Sequence, residues 1–248
     1  MRIAFVTETW LPSTDGIVTR LTATVRELRA LGHEVLVLAP ALPGMELEGA
    51  VVRGIPTVGW KFIYDGKRWA LPLPRVARYI RDYRPDVVHA VNPALLGIAA
   101  VVAARRQHIP LVASYHTDIA SYAEYYRLGW LRPLIWRVLR LLHGRAQLNL
   151  ATSRASCDVL RFNGVHRIRL WPRGVDTELF HPGPRERSDS RWHAVYVGRL
   201  GAEKNLAQLA VLLQHDCYRL TLVGDGPDRD TLASTLSARA VSFTGTLH

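Results

Sequence analysis

The chain has 248 residues, 48% of them hydrophobic, and a formal net charge of +11. This length and composition indicate a globular protein of one large or two ordinary domains. Its two cysteines, Cys157 and Cys217, lie far apart, which argues against a disulfide framework or a zinc site and favours a reducing cytosol. Glu8 and Pro12 interrupt the first apolar run, which therefore predicts a strand rather than a signal peptide or a membrane span.

The positive charge is concentrated in the first part of the chain. Residues 1–173 contain 24 Lys and Arg against 12 Asp and Glu, a net charge of +12, whereas residues 174–248 contain 8 against 9, a net charge of −1. This asymmetry indicates an anionic partner for the first part, either nucleic acid, anionic lipid or phosphorylated small molecules. The alternative is a general bias of the proteome towards arginine.

Short β-rich segments alternate with segments of helical length. The predicted strands are residues 2–6, 34–39, 86–91, 110–115, 147–152 and 167–171, and the predicted helices are residues 17–31, 75–83, 94–107 and 153–163. Continuously apolar strands in such a series are typical of a parallel sheet covered on both faces. The sequence therefore predicts an α/β fold with a doubly wound sheet, whose ligands lie beyond the carboxyl ends of the strands.

A second series follows a segment rich in Pro, Gly and charge. Its predicted strands are residues 193–198, 217–224 and 240–245, with helices from about 203 to 214 and about 227 to 237. We expect an N-terminal Rossmann-like domain over residues 1–172, a linker over 173–191 and a partial C-terminal Rossmann-like domain over 192–248. Three strands with an open edge indicate that the second domain is truncated.

The segment LPSTDG places Gly16 between the first strand and the first helix. Asp15 or Thr14 can cap that helix, and Gly16 lets backbone N–H groups approach a ligand closely. A helix N-terminus in this position is an anion site. The pattern GxGxxG is missing, which disfavours dinucleotide binding, and a capped turn without a ligand is the alternative.

The segment ASYHTD places Ser114, His116 and Asp118 at the end of a predicted strand. His116 can donate a hydrogen bond to a sugar hydroxyl or to developing negative charge, and it needs no metal to do so. His89 and Asn92 end the preceding strand, where they either line the same crevice or, for His89, pack in the core. A purely structural role for His116 is the alternative.

In the second series, YVGRLGAEKN brings Arg199, Lys204 and a predicted helix start to one point. Two cations and free helix N–H groups would bind a diphosphate. The alternative is a pair of solvated surface cations, but only 3 of 32 basic residues are lysine, and this rarity favours a function for Lys204. Gly224 and Gly226 shape a tight loop that either approaches a nucleoside or forms an ordinary turn.

Residues 131–145 predict a basic amphipathic helix. Its apolar side, expected to pack on the core, comprises Leu131, Leu134, Ile135, Val138, Leu139, Leu141 and Leu142. Its other side comprises Arg132, Trp136, Arg137 and Arg140, and these side chains are expected to rest on anionic headgroups of a membrane surface. Nucleic acid is disfavoured as the partner, because no nucleic-acid-binding signature appears and the basic residues are not interleaved with several aromatics.

The segments ETWLPSTDGIVTRL, VVHAVNPALLGIAA, ASYHTD, RGVDTELFHP, VGRLGAEKN and LVGDGP occur in this order. With them the chain resembles the glycosyltransferase family 4 enzymes of the GT-B fold over essentially its whole length. Within the family it is most similar to sulfoquinovosyltransferases and related enzymes that glycosylate diacylglycerol. Mannosyltransferases with other lipid acceptors share much of the same pattern.

The resemblance implies an N-terminal domain that binds the acceptor, a C-terminal domain that binds a nucleotide sugar, and an active site in the cleft. It implies that Gly16 lies against the donor diphosphate, that His116 contacts the donor sugar near the reacting carbon, and that Arg199 and Lys204 hold the diphosphate. It further implies transfer to a membrane lipid with retention of anomeric configuration, without a metal or other cofactor. The expected location is the cytoplasm, peripheral to the inner face of the membrane.

The family's Glu-x7-Glu segment, which contacts donor sugar and ribose, belongs downstream of VSFTG and is absent. We therefore expect an incomplete polypeptide or a split or degraded reading frame that is inactive by itself. Two other hypotheses stay open. One is a non-catalytic remnant or acceptor-side lipid-binding domain, and the other is a nucleotide-sugar epimerase or hydrolase of the same fold.

Overall fold

The computed structural model describes residues 1–59, 68–70, 74–118, 120–121, 123, 128–172, 174–181, 183, 191–236 and 241–247. The chain divides into two compact units, Met1–Val175 and Asp176–His248. This division falls inside the segment predicted as a linker, of which residues 173, 182 and 184–190 lie outside the described residues.

The first unit alternates strands and helices. Its strands are β1 (Arg2–Thr7), β2 (Glu34–Pro40), β3 (Val51–Ile55), β4 (Thr57–Gly59), β5 (Arg68–Ala70), β6 (Val87–Val91), β7 (Leu111–Tyr115), β8 (Leu148–Ala151) and β9 (Ile168–Leu170). Its helices are α1 (Gly16–Ala30), α2 (Pro74–Tyr83), α3 (Leu95–Arg106), α4 (Arg132–His143) and α5 (Arg154–Phe162). All six strands predicted in this unit are confirmed, whereas β3, β4 and β5 are additional.

Seven strands form one parallel sheet in the order β3-β2-β1-β6-β7-β8-β9, and β4 pairs with β5 in a separate antiparallel ribbon. The chain leaves β1 towards β2 on one side and later returns to β6 on the other, so the strand order reverses between β1 and β6. Thr7 pairs with Val91, and Val91 pairs with Ser114. The carboxyl ends of β1, β6 and β7 therefore meet at the switch point where such sheets bind ligands.

Both faces of this sheet are covered, as predicted. Successive side chains of a strand point to opposite faces. Ala4 and Val6 belong to the core cluster that includes Leu96 of α3, whereas Phe5 belongs to the cluster that includes Leu21 of α1. The alternation along β1 thus builds two hydrophobic cores, one on each side of the sheet.

The second unit has a parallel sheet of β10 (Trp192–Val197), β11 (Tyr218–Val223) and β12 (Val241–Gly245), with helix α6 (Arg229–Thr235). The helix predicted from about 203 to 214 is not one continuous α-helix. Two 3-10 segments, Ala202–Lys204 and Leu206–Gln214, take its place. Asn205 lies between them with φ 48° and ψ 43°, and this left-handed conformation interrupts an α-helix. The predicted fold class is nevertheless confirmed, because both units are parallel and Rossmann-like.

The predicted faces of helix α4 are partly wrong. Trp136 is only 5% exposed, and its ring stacks on Tyr115 of β7 with 6.3 Å between the centroids. Leu134 and Leu141 are each 56% exposed, although the helical wheel places them on the core side. The helix is therefore rotated so that Trp136 packs inward, and this side chain does not belong to a membrane surface.

Candidate functional site

The loop after β1 presents Gly16 at the start of α1. The Asp15 carboxylate caps this helix, because its Oδ1 accepts from the N–H groups of Ile17 and Val18 at 2.9 and 3.0 Å. These are two of the amides that an anion would use. Gly16 is exposed, and a Cβ built on it would meet nothing within 4 Å. The open face of Gly16 is thus what this loop offers a ligand, and its contact with a diphosphate stays a prediction.

The ends of β6 and β7 bring four of the predicted residues together. The Oγ of Ser114 lies 3.0 Å from Nε2 of His116 and 2.9 Å from Nε2 of His89. Asn92 Oδ1 accepts from the backbone N–H of His116 at 3.3 Å. Asp118 turns away and accepts from Ser121. Within the described ranges, no three His, Cys, Asp or Glu side chains are grouped so that they could hold a metal ion.

Aromatic rings form one wall of this cluster, and Trp171 is the central one. Its ring centroid lies 5.6 Å from that of His89 and 5.7 Å from that of His116, which it meets edge-on. The Arg20 guanidinium lies over Trp171 at 3.9 Å, and its Nη2 donates to the Trp171 carbonyl at 2.6 Å. Trp171 and Arg20 are not among the residues predicted from the sequence, since their contact joins positions 151 residues apart.

Glu8 follows β1 and occupies another helix start at the same sheet edge. Its Oε1 accepts from the N–H groups of Ala94 and Gly97 at 3.1 and 3.0 Å, at the beginning of α3. Carboxylates are favoured at this end of a helix because of its partial positive charge. Glu8 therefore supplies the anion that the amino end of α3 would otherwise attract, a role that sequence spacing alone does not reveal.

His89 is held in its neutral form. Burial, together with the nearby His116 and Arg20, lowers its pKa to about 3. The ring also lies 5.1 Å from Phe5 between centroids. A histidine in this environment keeps one donor and one acceptor nitrogen throughout the physiological pH range.

We expect the free energy of unfolding to fall as the pH drops below about 6.5. The unfolded chain then binds a proton at His89 that the native chain does not bind. The free energy of unfolding therefore falls by up to about 1.4 kcal/mol per pH unit. Urea titrations at pH 7 and pH 5 measure this slope. His89→Gln should reduce it, leaving the contribution of His143, whose pKa burial also lowers.

The matched control for this slope is His166→Gln, which removes an exposed imidazole from the same unit. The slope of His89→Gln is compared with the slope of this variant. Equal slopes in the wild type and His89→Gln would show that His89 takes up its proton in the native state.

In the second unit the loop after β10 carries both predicted cations. Arg199 Nη1 lies 3.5 Å from Glu203 Oε1, and the Tyr196 hydroxyl donates to the Arg199 carbonyl at 2.9 Å. The Lys204 side chain is exposed. A short 3-10 turn begins at Ala202, so the predicted helix start is present as a single 3-10 turn rather than as the start of an α-helix. The two cations remain the anion-attracting feature of the loop.

Gly224 and Gly226, in the loop after β11, allow that loop to pack closely against the loop after β10. Gly224 has a φ of +130°, and a Cβ built on it would overlap the carbonyl oxygen of Gly198. A Cβ on Gly226 would likewise overlap the carbonyl oxygen of Leu200. Backbone packing thus accounts for both glycines, and a contact with a nucleoside stays a prediction.

Comparison with known proteins places the chain in a family. Residues 14–179 match the model of Glycosyltransferase Family 4. The chain is 36% identical to a GDP-mannose-dependent alpha-mannosyltransferase of Corynebacterium glutamicum, over 100% of this chain and 62% of that protein. It is 32% identical to the sulfoquinovosyl transferase SQD2 of Arabidopsis thaliana, over 94% of this chain and 48% of that protein.

A solved structure shares the fold. HepE from Anabaena (Alr3699), in complex with UDP and glucose, matches with a TM-score of 0.73 and 18% identity, over 100% of this chain and 70% of that one. At this identity the likeness concerns the fold alone. The chain spans less than two thirds of the corynebacterial protein, yet the family model covers both the Gly16 loop and the His116 cluster. The chain therefore belongs to glycosyltransferase family 4.

Proposed function

We propose that the chain is part of a retaining glycosyltransferase that moves a sugar from a nucleoside diphosphate to a membrane lipid acceptor. The observation that carries this proposal is the cluster of Ser114, His116 and His89 at the switch point of a parallel sheet, in a chain of family 4. The name of the corynebacterial relative supports a sugar nucleotide as donor. The name of the plant relative gives a sulfoquinovosyl group as the transferred sugar, which is compatible with the proposed glycolipid or sulfolipid synthesis.

Charge development in the reaction fits the proposed roles. The bond between the anomeric carbon and a diphosphate oxygen breaks, the sugar ring gains positive charge, and the departing diphosphate gains negative charge. Arg199 and Lys204 would stabilise the departing diphosphate. His116 would contact the donor sugar near the reacting carbon. The acceptor hydroxyl oxygen forms the new bond on the face of the sugar that the diphosphate leaves, and its proton passes to a departing diphosphate oxygen, so we propose these steps without a metal.

The outer face of α4 supports a lipid acceptor. This outer face consists of Leu134, Arg137, Val138 and Leu141, together with Trp130 in the 3-10 turn Gly129–Leu131 that precedes the helix. Trp130 is 76% exposed and Val138 38%, and the Arg137 side chain is also exposed. Apolar and basic side chains on one helix face suit the boundary between headgroups and acyl chains of an anionic leaflet. We propose that this face, with the exposed Arg132 and Arg140 beside it, rests on the cytoplasmic surface of the membrane.

No helix in the described ranges has both the length and the apolar character that crossing a bilayer requires. Each basic residue near an anionic surface adds about 1 kcal/mol of attraction. The proposed contact is therefore peripheral and sensitive to salt.

We expect Arg199→Ala and Lys204→Ala each to lower sugar transfer by roughly tenfold to a hundredfold, because each removes a cation from the leaving diphosphate. Because the chain spans 62% of the corynebacterial relative, transfer is measured with a chimera that adds the part of that relative outside the matched region. GDP-mannose and UDP-glucose are the donors, and diacylglycerol in vesicles is the acceptor. Titration calorimetry of GDP and UDP with the chain itself measures the diphosphate contact separately.

Arg191→Ala is the matched control. It removes an exposed arginine that precedes the amino end of β10, the strand whose carboxyl end leads to Arg199. It should leave transfer within about twofold of the wild type, the usual range of an exposed charge far from the phosphates. Unchanged transfer in both Arg199→Ala and Lys204→Ala would remove these residues from the site.

Product analysis separates the alternatives. An epimerase or hydrolase would convert the nucleotide sugar in the absence of any acceptor, whereas a transferase would need the lipid. A non-catalytic lipid-binding domain would bind anionic vesicles but leave the nucleotide sugar intact in the chimera as well.

A further inference from the structure

A single buried hydroxyl lies between two imidazoles in the first unit. Ser114 is fully buried, and its Oγ is within hydrogen-bond distance of Nε2 of His89 and Nε2 of His116, at 2.9 and 3.0 Å. Both rings approach the same oxygen with the same type of nitrogen. The positions of the protons in this hydrogen-bond chain decide whether the His116 ring presents a donor or an acceptor nitrogen to a ligand.

The hydroxyl has one proton, so it donates to only one of the two rings. If it donates to His89, then His116 must carry a proton on Nε2, because two facing lone pairs would repel each other. If it donates to His116, protonation of His116 breaks this hydrogen bond, since both nitrogens of an imidazolium are donors. Only the first arrangement is compatible with His116 in its neutral and its charged form.

His89 is suited to be the fixed end of this hydrogen-bond chain. It is 6% exposed, and its ring packs near Phe5 of β1 and Trp171 after β9. The charged or titratable groups that act on it are His116 and Arg20 of α1. Both disfavour a positive charge on His89, so a neutral imidazole with one acceptor nitrogen faces Ser114.

His116 is in turn held from three directions. Its Nε2 contacts Ser114, its backbone N–H donates to Asn92 Oδ1, and Trp171 meets its ring edge-on. We propose that Ser114 and His89 are positioning residues for His116. The Ser114 hydroxyl donates to Nε2 of His89 and accepts from the Nε2–H of His116, which fixes the orientation and the tautomer of the His116 ring.

The meaning of this arrangement rests on the proposed function, in which His116 contacts the donor sugar. A ring with a fixed tautomer offers its other nitrogen in one orientation, and small misplacements of such groups reduce rates strongly. The arrangement itself is a property of the folded first unit and does not depend on any reaction.

The test is two-bond 1H–15N correlation spectroscopy of the 248-residue chain labelled at its ten histidines. His116→Gln and His89→Gln assign the two signals. We expect the Nε2–H tautomer for His116 and the Nδ1–H tautomer for His89. In Ser114→Ala, His116 should become a mixture of tautomers, whereas Ser114→Thr, which keeps the hydroxyl, should retain the wild-type pattern, and the His166 signal should stay constant.

An Nδ1–H tautomer of His116 in the wild type would overturn the proposal, and so would an unchanged His116 pattern in a folded Ser114→Ala. If Ser114→Ala does not fold, the two wild-type tautomers decide the matter. In the chimera, Ser114→Ala should lower kcat about tenfold with little change in KM for the donor, and Ser114→Thr should restore it. An inactive chimera with the expected tautomers would refute the proposed function and leave this inference standing.

Discussion

Gly224→Ala should destabilise the second unit by about 3–5 kcal/mol, more than a core of this size tolerates. The added Cβ would lie 2.9 Å from the carbonyl carbon of Gly198, and the backbone φ of +130° would strain any other residue. The core that must absorb this change consists of six buried leucines, Leu200, Leu206, Leu220, Leu222, Leu232 and Leu236. Hydrogen exchange should show loss of protection in β10 and β11, with protection in β1 and β6 unchanged.

Gly16→Ala is the matched control, because its Cβ would enter open space at the first position of α1. Its free energy of unfolding should equal or slightly exceed that of the wild type, since alanine is the better helix former. If Gly224→Ala proved as stable as Gly16→Ala, the loops after β10 and β11 could not approach each other as closely as described.

Six strands of the sheet in the first unit were predictable because each lies in a short segment rich in apolar residues between segments of helical length. The strand β3 was not predicted, and Arg53 and Gly54 interrupt the apolar residues of Val51–Ile55. Its role as an edge strand depends on pairing with β2, which local composition does not record. The 3-10 segments around Asn205 were not predictable for a similar reason, since the apolar pattern of residues 206–214 fits an α-helix equally well.

The candidate site was predictable as a set of strand ends but not as a set of contacts. A parallel sheet places the residues that follow neighbouring strands side by side, which is why His116 and Asn92 meet. The sequence left open whether His89 packs in the core or lines the crevice, and the structure shows it buried and in contact with Ser114. The contact of Arg20 with Trp171 depends on the return of the chain after β9, which no short motif encodes.

Trp136→Ala should lower the free energy of unfolding of the first unit by about 3–5 kcal/mol, the usual cost of truncating a buried tryptophan. The helical wheel places this side chain on the exposed side of α4, and only its stacking on Tyr115 shows that it is buried. Leu134→Ala, on the same helix but 56% exposed, should cost less than about 0.5 kcal/mol. Urea unfolding followed by circular dichroism compares the two variants.

In vesicle flotation, substitution of the exposed leucines of α4 should have a larger effect on binding than Trp136→Ala. Leu134→Ala combined with Leu141→Ala removes apolar surface that we propose enters the lipid boundary, at about 0.8 kcal/mol per buried methylene, so binding should fall at least tenfold. Folded Trp136→Ala should bind like the wild type, and Arg137→Ala should weaken binding only to anionic vesicles at low salt. If vesicle binding were unchanged by the double substitution, by lipid charge and by salt, the outer face of α4 would have another partner.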